Sequence, residues 1–294
     1  MKRSPRTLLA VAFTVVGVCL LAYPWVSDML AQRARASVMD GYQEVVEQTS
    51  EQDLSAELER ARAYDQKLRT GMARVTDPFD PDAVHVTDED YEQALNVAGD
   101  GVMGEISIPA IDVTLPIYHG TGDEALQQGV GHLEGTSLPI GGESTHCVLA
   151  GHTGLPTTRI FDALDQLQEG DVFIITVLGE KYAYRVCDIR VVLPDESDSL
   201  VVEEGRDLVT LVTCTPYGKN THRLLVTGER CEVPAEGEEV TREVAWKPSM
   251  QELALMGAVA AAALGSLLGV VSARRSRRRQ QGAPVVGRGR HMRR

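Results

Sequence analysis

Acidic residues are absent from both ends of this sequence, although the whole chain carries a net charge of −13. Residues 1–26 and residues 253–294 contain no Asp or Glu, so all 42 acidic residues lie between these ends, together with 17 of the 29 basic residues. A strongly acidic middle argues against nucleic-acid binding there, because binding to phosphates requires a basic surface. The basic ends are instead typical of segments that flank membrane spans.

The sequence also lacks internal repeats, a phosphate-binding loop and a metal-binding motif, so we expect neither a cofactor nor a metal. Its five cysteines are Cys19, Cys147, Cys187, Cys214 and Cys231, and none of them has the CxxC spacing of a zinc site. If Cys214 is a working thiol, at most one disulfide can form among Cys147, Cys187 and Cys231. The sequence does not select a pair, and three reduced core thiols agree with it equally well.

Two apolar runs are long enough to cross a bilayer. Residues 7–26 form a run of twenty residues, and residues 253–271 form a run of nineteen apolar or small residues followed by the basic cluster 274–279. We interpret the first run as a retained anchor, because it is long for a signal peptide and the weak cleavage site at Ala34-Arg35-Ala36 lies well beyond it. The second run could also be a packed soluble helix, but the basic cluster behind it is typical of a stop-transfer flank.

The basic flanks of both predicted spans place residues 1–6 and 272–294 in the cytoplasm and the acidic middle outside the cell membrane. Residues 27–74 are predicted to be helical, because apolar side chains recur there at three- and four-residue steps. This segment is interpreted as a spacer that lifts the domain off the lipid bilayer, as an ordinary helix or helical pair of the domain, or as both at once. Residues 233–252 are acidic and irregular, and are predicted to tether the domain to the second span.

Residues 83–232 are rich in predicted strands. Alternating apolar residues over 103–119 indicate a hairpin, and further strands are predicted over 171–177, 181–192, 208–214 and 223–231. A short helix is predicted over Asp123–Gln128, and a longer one over 158–169, with four apolar side chains on one face. A total of about eight strands with little helix between them favours a mostly β fold that closes into a barrel over a parallel α/β sheet.

The last two predicted strands form a hairpin with chemistry at its open end. Cys214 ends one strand and Arg223 begins the next, and Pro216, Gly218 and Asn220 between them are turn residues. A hairpin of this length brings a thiol nucleophile beside a guanidinium that can stabilise negative charge. The simpler interpretation is a buried strand cysteine, which is a common role of free cysteine.

These residues resemble the sortase family. Thr210-Leu211-Val212-Thr213-Cys214 matches the TLxTC signature of sortases, Arg223 stands at the position of their essential arginine, and the string from Pro216 to Arg223 resembles the class C, pilin-polymerising branch. His152 in the segment 147–156 stands at the position of the sortase histidine, and the Gly-Leu-Pro after it is typical of class C. Thr153 departs from the basic residue that is more common in that class, which weakens any detailed inference about the substrate.

A second segment resembles the lid of class C sortases. Asp77-Pro78-Phe79, within residues 75–82, matches the Asp-Pro-aromatic motif that precedes the barrel in that class. The resemblance implies that Asp77 pairs with Arg223 and that Phe79 covers Cys214 until the lid moves. A plain proline-rich linker is the alternative.

The resemblance implies a sortase-type eight-stranded β-barrel and a membrane-anchored cysteine transpeptidase. Cys214 would cleave an LPxTG-like sorting signal through a thioacyl intermediate, and a lysine amine of a pilin subunit would resolve it. A thiol is mostly protonated at neutral pH, so His152 would move the proton while Arg223 stabilises the oxyanion. The alternatives are a sortase that uses a cell-wall peptide amine as acceptor, a cysteine hydrolase, and a non-catalytic membrane scaffold.

Overall fold

The computed structural model describes residues 5–70, 76–80, 89–155, 158–196, 200–235, 256–263 and 265. The chain divides into two compact units, one made of Met1–Pro24 with Pro248–Arg294 and the other made of Trp25–Lys247. The predicted basic tail 272–294 and most of the predicted tether and second span lie outside the described residues.

The second unit contains a closed barrel of eight strands, as the alternating pattern predicted. The strand order around the barrel is β1-β2-β3-β4-β7-β8-β6-β5. The strands are β1 (Val102–Ile108), β2 (Val113–His119), β3 (Val130–His132), β4 (Thr145–Ala150), β5 (Val172–Val177), β6 (Glu180–Val192), β7 (Asp207–Thr215) and β8 (His222–Cys231). The helices are α1 (Pro5–Gln48), α2 (Glu51–Thr70), α3 (Glu89–Gln93) and α4 (Asp123–Gln128), with 3₁₀ turns at Pro109–Ile111 and Leu164–Gln166.

Strand β7 is buried on both faces, and its two faces serve different clusters. Val209 and Leu211 belong to the main hydrophobic core. Val212 points to the other face and packs in a smaller cluster with Leu200 and Leu225. Side chains two apart on a strand share a face, so Cys214 lies on the same face as this smaller cluster.

Two helices precede the barrel and pack against it. Helix α1 runs without a break past the predicted end of the first span, and Ser50 starts α2 as an N-cap, with its Oγ accepting a hydrogen bond from Asp53 N at 3.1 Å. Tyr42 Oη of α1 donates to Met103 O at 3.0 Å, and Ala61 of α2 is fully buried in the main core. Helices α1 and α2 cover residues 27–48 and 51–70 and pack on the barrel, which leaves the spacer interpretation untested; residues 71–74 of the predicted segment lie outside the described residues.

Within the described part of the chain, one helix is long and apolar enough to cross a membrane. It covers Val15–Gln48, and none of its most apolar window is buried. Phe13 and Trp25 in the predicted first span are exposed to 68% and 58%. The second predicted span is described only at 256–263 and 265, where it is helical, so the two-span topology stays a prediction.

The predicted helix over 158–169 is wrong. Only Leu164–Gln166 forms a 3₁₀ turn, while the four apolar side chains of the pattern are buried in the core. Two of the amides bond elsewhere: Phe161 N donates to His152 O at 2.9 Å, and Ile160 N donates to the Asp162 carboxylate at 3.2 Å. The apolar spacing therefore reflects a loop that folds into the core.

Candidate active site

Cys214 and Arg223 face each other across the β7–β8 hairpin. They are direct partners in the antiparallel register, and both residues are buried, each with 8% of its whole-residue surface exposed. The turn that joins them is closed by Asn220 N, which donates to Pro216 O at 3.0 Å. The hairpin thus places the thiol beside the guanidinium, as the sequence predicted.

His152 reaches the same end of the barrel from a neighbouring strand. Strand β4 runs parallel to β7 with Ala150 opposite Val212, so His152 and Cys214 each lie two residues beyond a paired position. Gly151 N donates to Val212 O at 3.0 Å and continues the pairing to the point where the histidine loop begins. Gly151 is required there, because a Cβ would lie 2.6 Å from the ring of Phe161.

Asp77 binds the guanidinium of Arg223 through two hydrogen bonds. Nε donates to Oδ1 at 2.8 Å and Nη2 donates to Oδ2 at 2.6 Å. The two side chains are only 10% and 11% exposed, so the ion pair is largely desolvated. Nη1 donates to the carbonyls of Asn220 and His222 at 3.2 Å and 3.1 Å. The bidentate geometry fixes the orientation of the guanidinium and makes the contact strong.

Phe79 contacts both His152 and Arg223. Its ring centroid lies 5.5 Å from that of His152, and Arg223 Cζ lies 5.2 Å from the Phe79 centroid, in cation–π range. Phe79 also packs on the cluster that contains Val212, beside Cys214 on the same strand face. Asp77 and Pro78 form a turn, in which Asp80 N donates to Asp77 O at 3.2 Å. The segment Asp77-Pro78-Phe79 therefore closes over the same strand ends that carry the predicted catalytic residues.

The environment of this site favours the neutral forms of the thiol and the imidazole. Burial raises the pKa of Cys214, which the charge of Arg223 partly offsets and the charge of Asp77 raises further. Burial lowers the pKa of His152, and the charge of Asp123 opposes this shift. Because Asp77 both occupies Arg223 and disfavours a thiolate, the closed site holds the nucleophile in its less reactive form.

The cysteines form no disulfide among the described residues, and the buried histidine His132 is held by structural hydrogen bonds. All five cysteines are free thiols, so none of Cys147, Cys187 and Cys231 forms a disulfide in this structure; Cys147 is buried, Cys187 is exposed and Cys231 is half-buried. His132 is fully buried, donates from Nε2 to Ser137 O at 2.8 Å and accepts at Nδ1 from Tyr91 Oη at 2.9 Å. Burial lowers the pKa of His132 to about 4, which keeps it neutral. No cluster of metal-ligating side chains occurs among the residues described.

Asp162 was not singled out by the sequence, but it holds the loop that carries His152. Its Oδ1 accepts from Gly154 N at 3.1 Å and its Oδ2 accepts from Ile160 N at 3.2 Å. The signal was hidden, because the surrounding apolar spacing favoured a helix in which Asp162 would have been an ordinary polar position. Aspartate competes with helical hydrogen bonding in this way when it binds nearby backbone amides.

The family model for the sortase domain matches residues 106–231, which include His152, Cys214 and Arg223. Among solved structures, the chain is 50% identical to sortase C-1 from Actinomyces oris, with a TM-score of 0.59, over 62% of this chain and 99% of that one. It is 38% identical to the pilus-related sortase C of Group B Streptococcus, with a TM-score of 0.60, over 68% of this chain and 98% of that one. Among curated proteins, sortase A of Listeria monocytogenes is 23% identical over 240 residues, 81% of this chain and 96% of that protein.

Proposed function

Because the chain belongs to the sortase family of cysteine transpeptidases and is of the class C type, we propose that it builds covalent pili. It would cleave an LPxTG-like sorting signal on one pilin subunit and join the new carboxyl end to a lysine amine of another. The likeness to the pilus-related sortase C of Group B Streptococcus, which is 38% identical, supports this choice of substrate class. The observation that carries the proposal is the convergence of a strand-end thiol, a histidine and a guanidinium under an Asp-Pro-Phe lid.

We assign the first half-reaction to three side chains. His152 takes the proton from Cys214 Sγ, and the thiolate attacks the carbonyl carbon of the threonine in the sorting signal. The C–O π electrons move to oxygen, where the guanidinium of Arg223 stabilises the oxyanion. The C–N bond then breaks, and the imidazolium returns the proton to the leaving amine, so that a thioester remains on Cys214.

The second half-reaction reverses these steps with a different amine. A lysine amine attacks the thioester carbonyl, His152 accepts its proton, and the tetrahedral intermediate collapses to an isopeptide bond. Cys214 leaves as thiolate and recovers its proton from His152. No metal or cofactor takes part in this scheme, which needs only the three side chains and the incoming amine.

The lid Asp77-Pro78-Phe79 has to leave before this chemistry can begin. The donors that Arg223 needs for an oxyanion are bonded to Asp77, and Phe79 contacts the imidazole. We therefore propose that the described structure is the resting state and that a sorting signal replaces the lid. We also propose that residues 7–26 and 253–271 anchor the chain in the cell membrane, with both termini cytoplasmic and the barrel outside.

The proposal is tested on the detergent-solubilised full-length chain carrying Phe79→Ala, which opens the lid. The protein is incubated with an LPxTG peptide and one of three nucleophiles: hydroxylamine, a lysine-bearing pilin peptide, or an amine-bearing cell-wall peptide. Cleavage that yields hydroxamate and is lost in Cys214→Ala supports a thioacyl route. Ligation to the lysine peptide supports pilin polymerisation, ligation to the cell-wall peptide alone supports wall anchoring, and no reaction with any of them overturns the proposal.

A further inference from the structure

The loop that carries His152 is held by hydrogen bonds at its base, which we call the neck, and by the carboxylate of Asp162. Phe161 N donates to His152 O at 2.9 Å, so the two limbs of the loop meet at the histidine itself. Asp162 holds both limbs, because its carboxylate accepts from Gly154 N on one and from Ile160 N on the other. Any displacement of the outer limb near Thr158 is therefore transmitted to the backbone of His152 through a short, bonded path.

Helix α1 holds the outer limb from the opposite side. Asp28 Oδ1 accepts from Arg159 N at 2.9 Å, and Arg35 Nη1 donates to Thr158 Oγ1. Asp28 and Arg35 are seven residues apart, which is about two helical turns, so both side chains lie on one face of α1. Gln32 lies between them on that face, and its Nε2 donates to the second carboxylate oxygen of Asp28 at 3.1 Å. Thr158 and Arg159, two adjacent residues of the loop, are thus hydrogen-bonded to the same face of α1.

An arginine is unusual at the buried position 35, which suggests that its hydrogen bond to Thr158 has a purpose. It is only 7% exposed, whereas arginine is rarely buried without a specific partner. Burial lowers the pKa of Arg35, and the charge of Asp28 acts against that shift. An apolar side chain would pack on the barrel without this desolvation cost. What the guanidinium adds is a directed hydrogen bond to the loop, supported by the charge of Asp28.

We propose that Asp28 and Arg35 are positioning residues that hold His152 in place for proton transfer; this inference rests on the proposed function, in which His152 moves the proton. Neither residue touches the substrate or Cys214. Their effect passes through Thr158 and Arg159 to the neck at Phe161 and so to the imidazole. Helix α1, which begins in the apolar N-terminal run, would in this way be part of the working site as well as an anchor.

The test uses the full-length Phe79→Ala protein as parent, with Arg35→Met and Asp28→Ala as test variants. Arg33→Met is the matched control, because Arg33 is exposed on the same helix. Both test variants should lower kcat for LPxTG transfer by roughly 10- to 100-fold, since misplacement of a catalytic group by about 1 Å has effects of this size. The KM for the peptide and the extent of Cys214 labelling by iodoacetamide should stay unchanged. Asp28→Asn should recover most of the kcat that Asp28→Ala loses, because its amide oxygen still accepts from Arg159 N, although it lacks the charge that supports Arg35.

Two further measurements separate positioning from a general loss of stability. Burial lowers the pKa of His152, so a loosened loop should move the histidine limb of the kcat/KM profile to higher pH in Arg35→Met and not in Arg33→Met. Hydrogen exchange of the peptide that contains Phe161 should become faster in the test variants only. The inference is overturned if kcat and the pH profile match the parent, if Arg33→Met shows the same loss, or if exchange at Phe161 is unchanged. The exchange arm does not depend on turnover, so it still decides whether Asp28 and Arg35 hold the His152 loop if the parent proves inactive, a result that would refute the proposed function alone.

Discussion

The donors of Arg223 that an oxyanion would use are bonded to Asp77 in the resting structure. The same carboxylate raises the pKa of Cys214, although burial is the larger cause. A single residue of the lid therefore acts on two of the three proposed catalytic groups. A lid that merely covered the site would exclude substrate but would leave the charge of the thiol unaffected.

Asp77→Ala should accelerate alkylation of Cys214 by iodoacetamide. Removal of the carboxylate eliminates one cause of the raised thiol pKa and frees the guanidinium to stabilise the thiolate. We expect an increase on the order of tenfold at neutral pH, which corresponds to a thiol pKa lower by about one unit. The measurement is the rate constant of Cys214 modification by mass spectrometry of the intact protein.

Asp195→Asn is the control for this experiment, because Asp195 is an exposed acid outside the site. It changes the net charge by the same amount as Asp77→Ala and should leave the labelling rate at the parent value. Equal rates in the parent and in Asp77→Ala would remove the electrostatic role assigned to the lid.

At the scale of secondary-structure elements, close packing at Gly151 determines the path of the histidine loop. Gly151 joins β4 to the loop and lies against the ring of Phe161, which is 1% exposed. The approach is closer than a side chain allows, so the path of the chain after β4 depends on a missing Cβ. The packing of Phe161 in turn fixes the neck of the loop at His152.

Gly151→Ala should lower both peptide cleavage and stability. The added Cβ would lie 2.6 Å from Phe161 Cδ2, and overpacking of this kind typically costs about 1–3 kcal/mol. Thermal unfolding followed by circular dichroism measures the stability, and hydroxamate formation measures the activity. Gly122→Ala is the matched control, since Gly122 has a φ of −67° and open space around its Cα. A Gly151→Ala protein with parental melting and activity would contradict the packing argument.

Helix α2 is joined to the barrel by a buried acid. Asp65 Oδ1 accepts from Leu138 N at 2.8 Å, and burial raises the pKa of Asp65 to about 7, with the charge of Asp207 adding to the shift. The folded protein therefore retains a proton that an unfolded aspartate releases near pH 4. Since the folded state binds more protons, the free energy of unfolding falls as pH rises from about 4 through about 7.

Asp65→Asn should raise the melting temperature at pH 8, where Asp65 is ionised, and should leave it unchanged at pH 4. The amide oxygen can still accept from Leu138 N, so the contact with the barrel persists. The gain at pH 8 should be on the order of 1–4 kcal/mol, because each pKa unit corresponds to about 1.4 kcal/mol. Glu59→Gln on the exposed side of α2 is the control and should melt like the parent at both values. A shift of equal size at both pH values would refute the assignment to Asp65.

At the scale of the whole molecule, local sequence patterns predicted the strands of the barrel better than the long-range contacts that hold the histidine loop. Alternating residues and turn signals gave eight strands, and the β7–β8 hairpin placed Cys214 beside Arg223 because both lie in one short segment. The contacts of Asp28 and Arg35 with the histidine loop join residues 131 and 123 positions apart and have no local signature. Residues 158–169 misled for the opposite reason, since a helix-like apolar spacing came from a loop whose amides bond to Asp162 and His152.

The membrane arrangement is testable on the intact chain through its own cysteines. Cys19 lies in the first predicted span, whereas Cys187 is exposed on the barrel. A membrane-impermeant maleimide applied to intact cells should therefore modify Cys187 and spare Cys19, because lipid would shield the latter. Cys187→Ser is the control for the site of modification. Labelling of Cys19 from outside the cell, or extraction of the chain by alkaline carbonate, would contradict the retained anchor.

The lid is tied to the chain whose site it fills, and this has a consequence for how the enzyme meets its substrate. A covalently attached competitor has a fixed effective concentration, commonly in the millimolar range for a short connection, whatever the dilution of the protein. If the closed form exceeds the open form by about a hundredfold, the apparent dissociation constant of any sorting signal rises by about the same factor. A free peptide in solution would then compete poorly, while a subunit held close to the enzyme, as the proposed membrane anchoring implies, would compete at a much higher local concentration. Under the proposed function, the Asp77–Arg223 pair would thus make the reaction depend on the density of subunits close to the enzyme and hardly at all on their total amount.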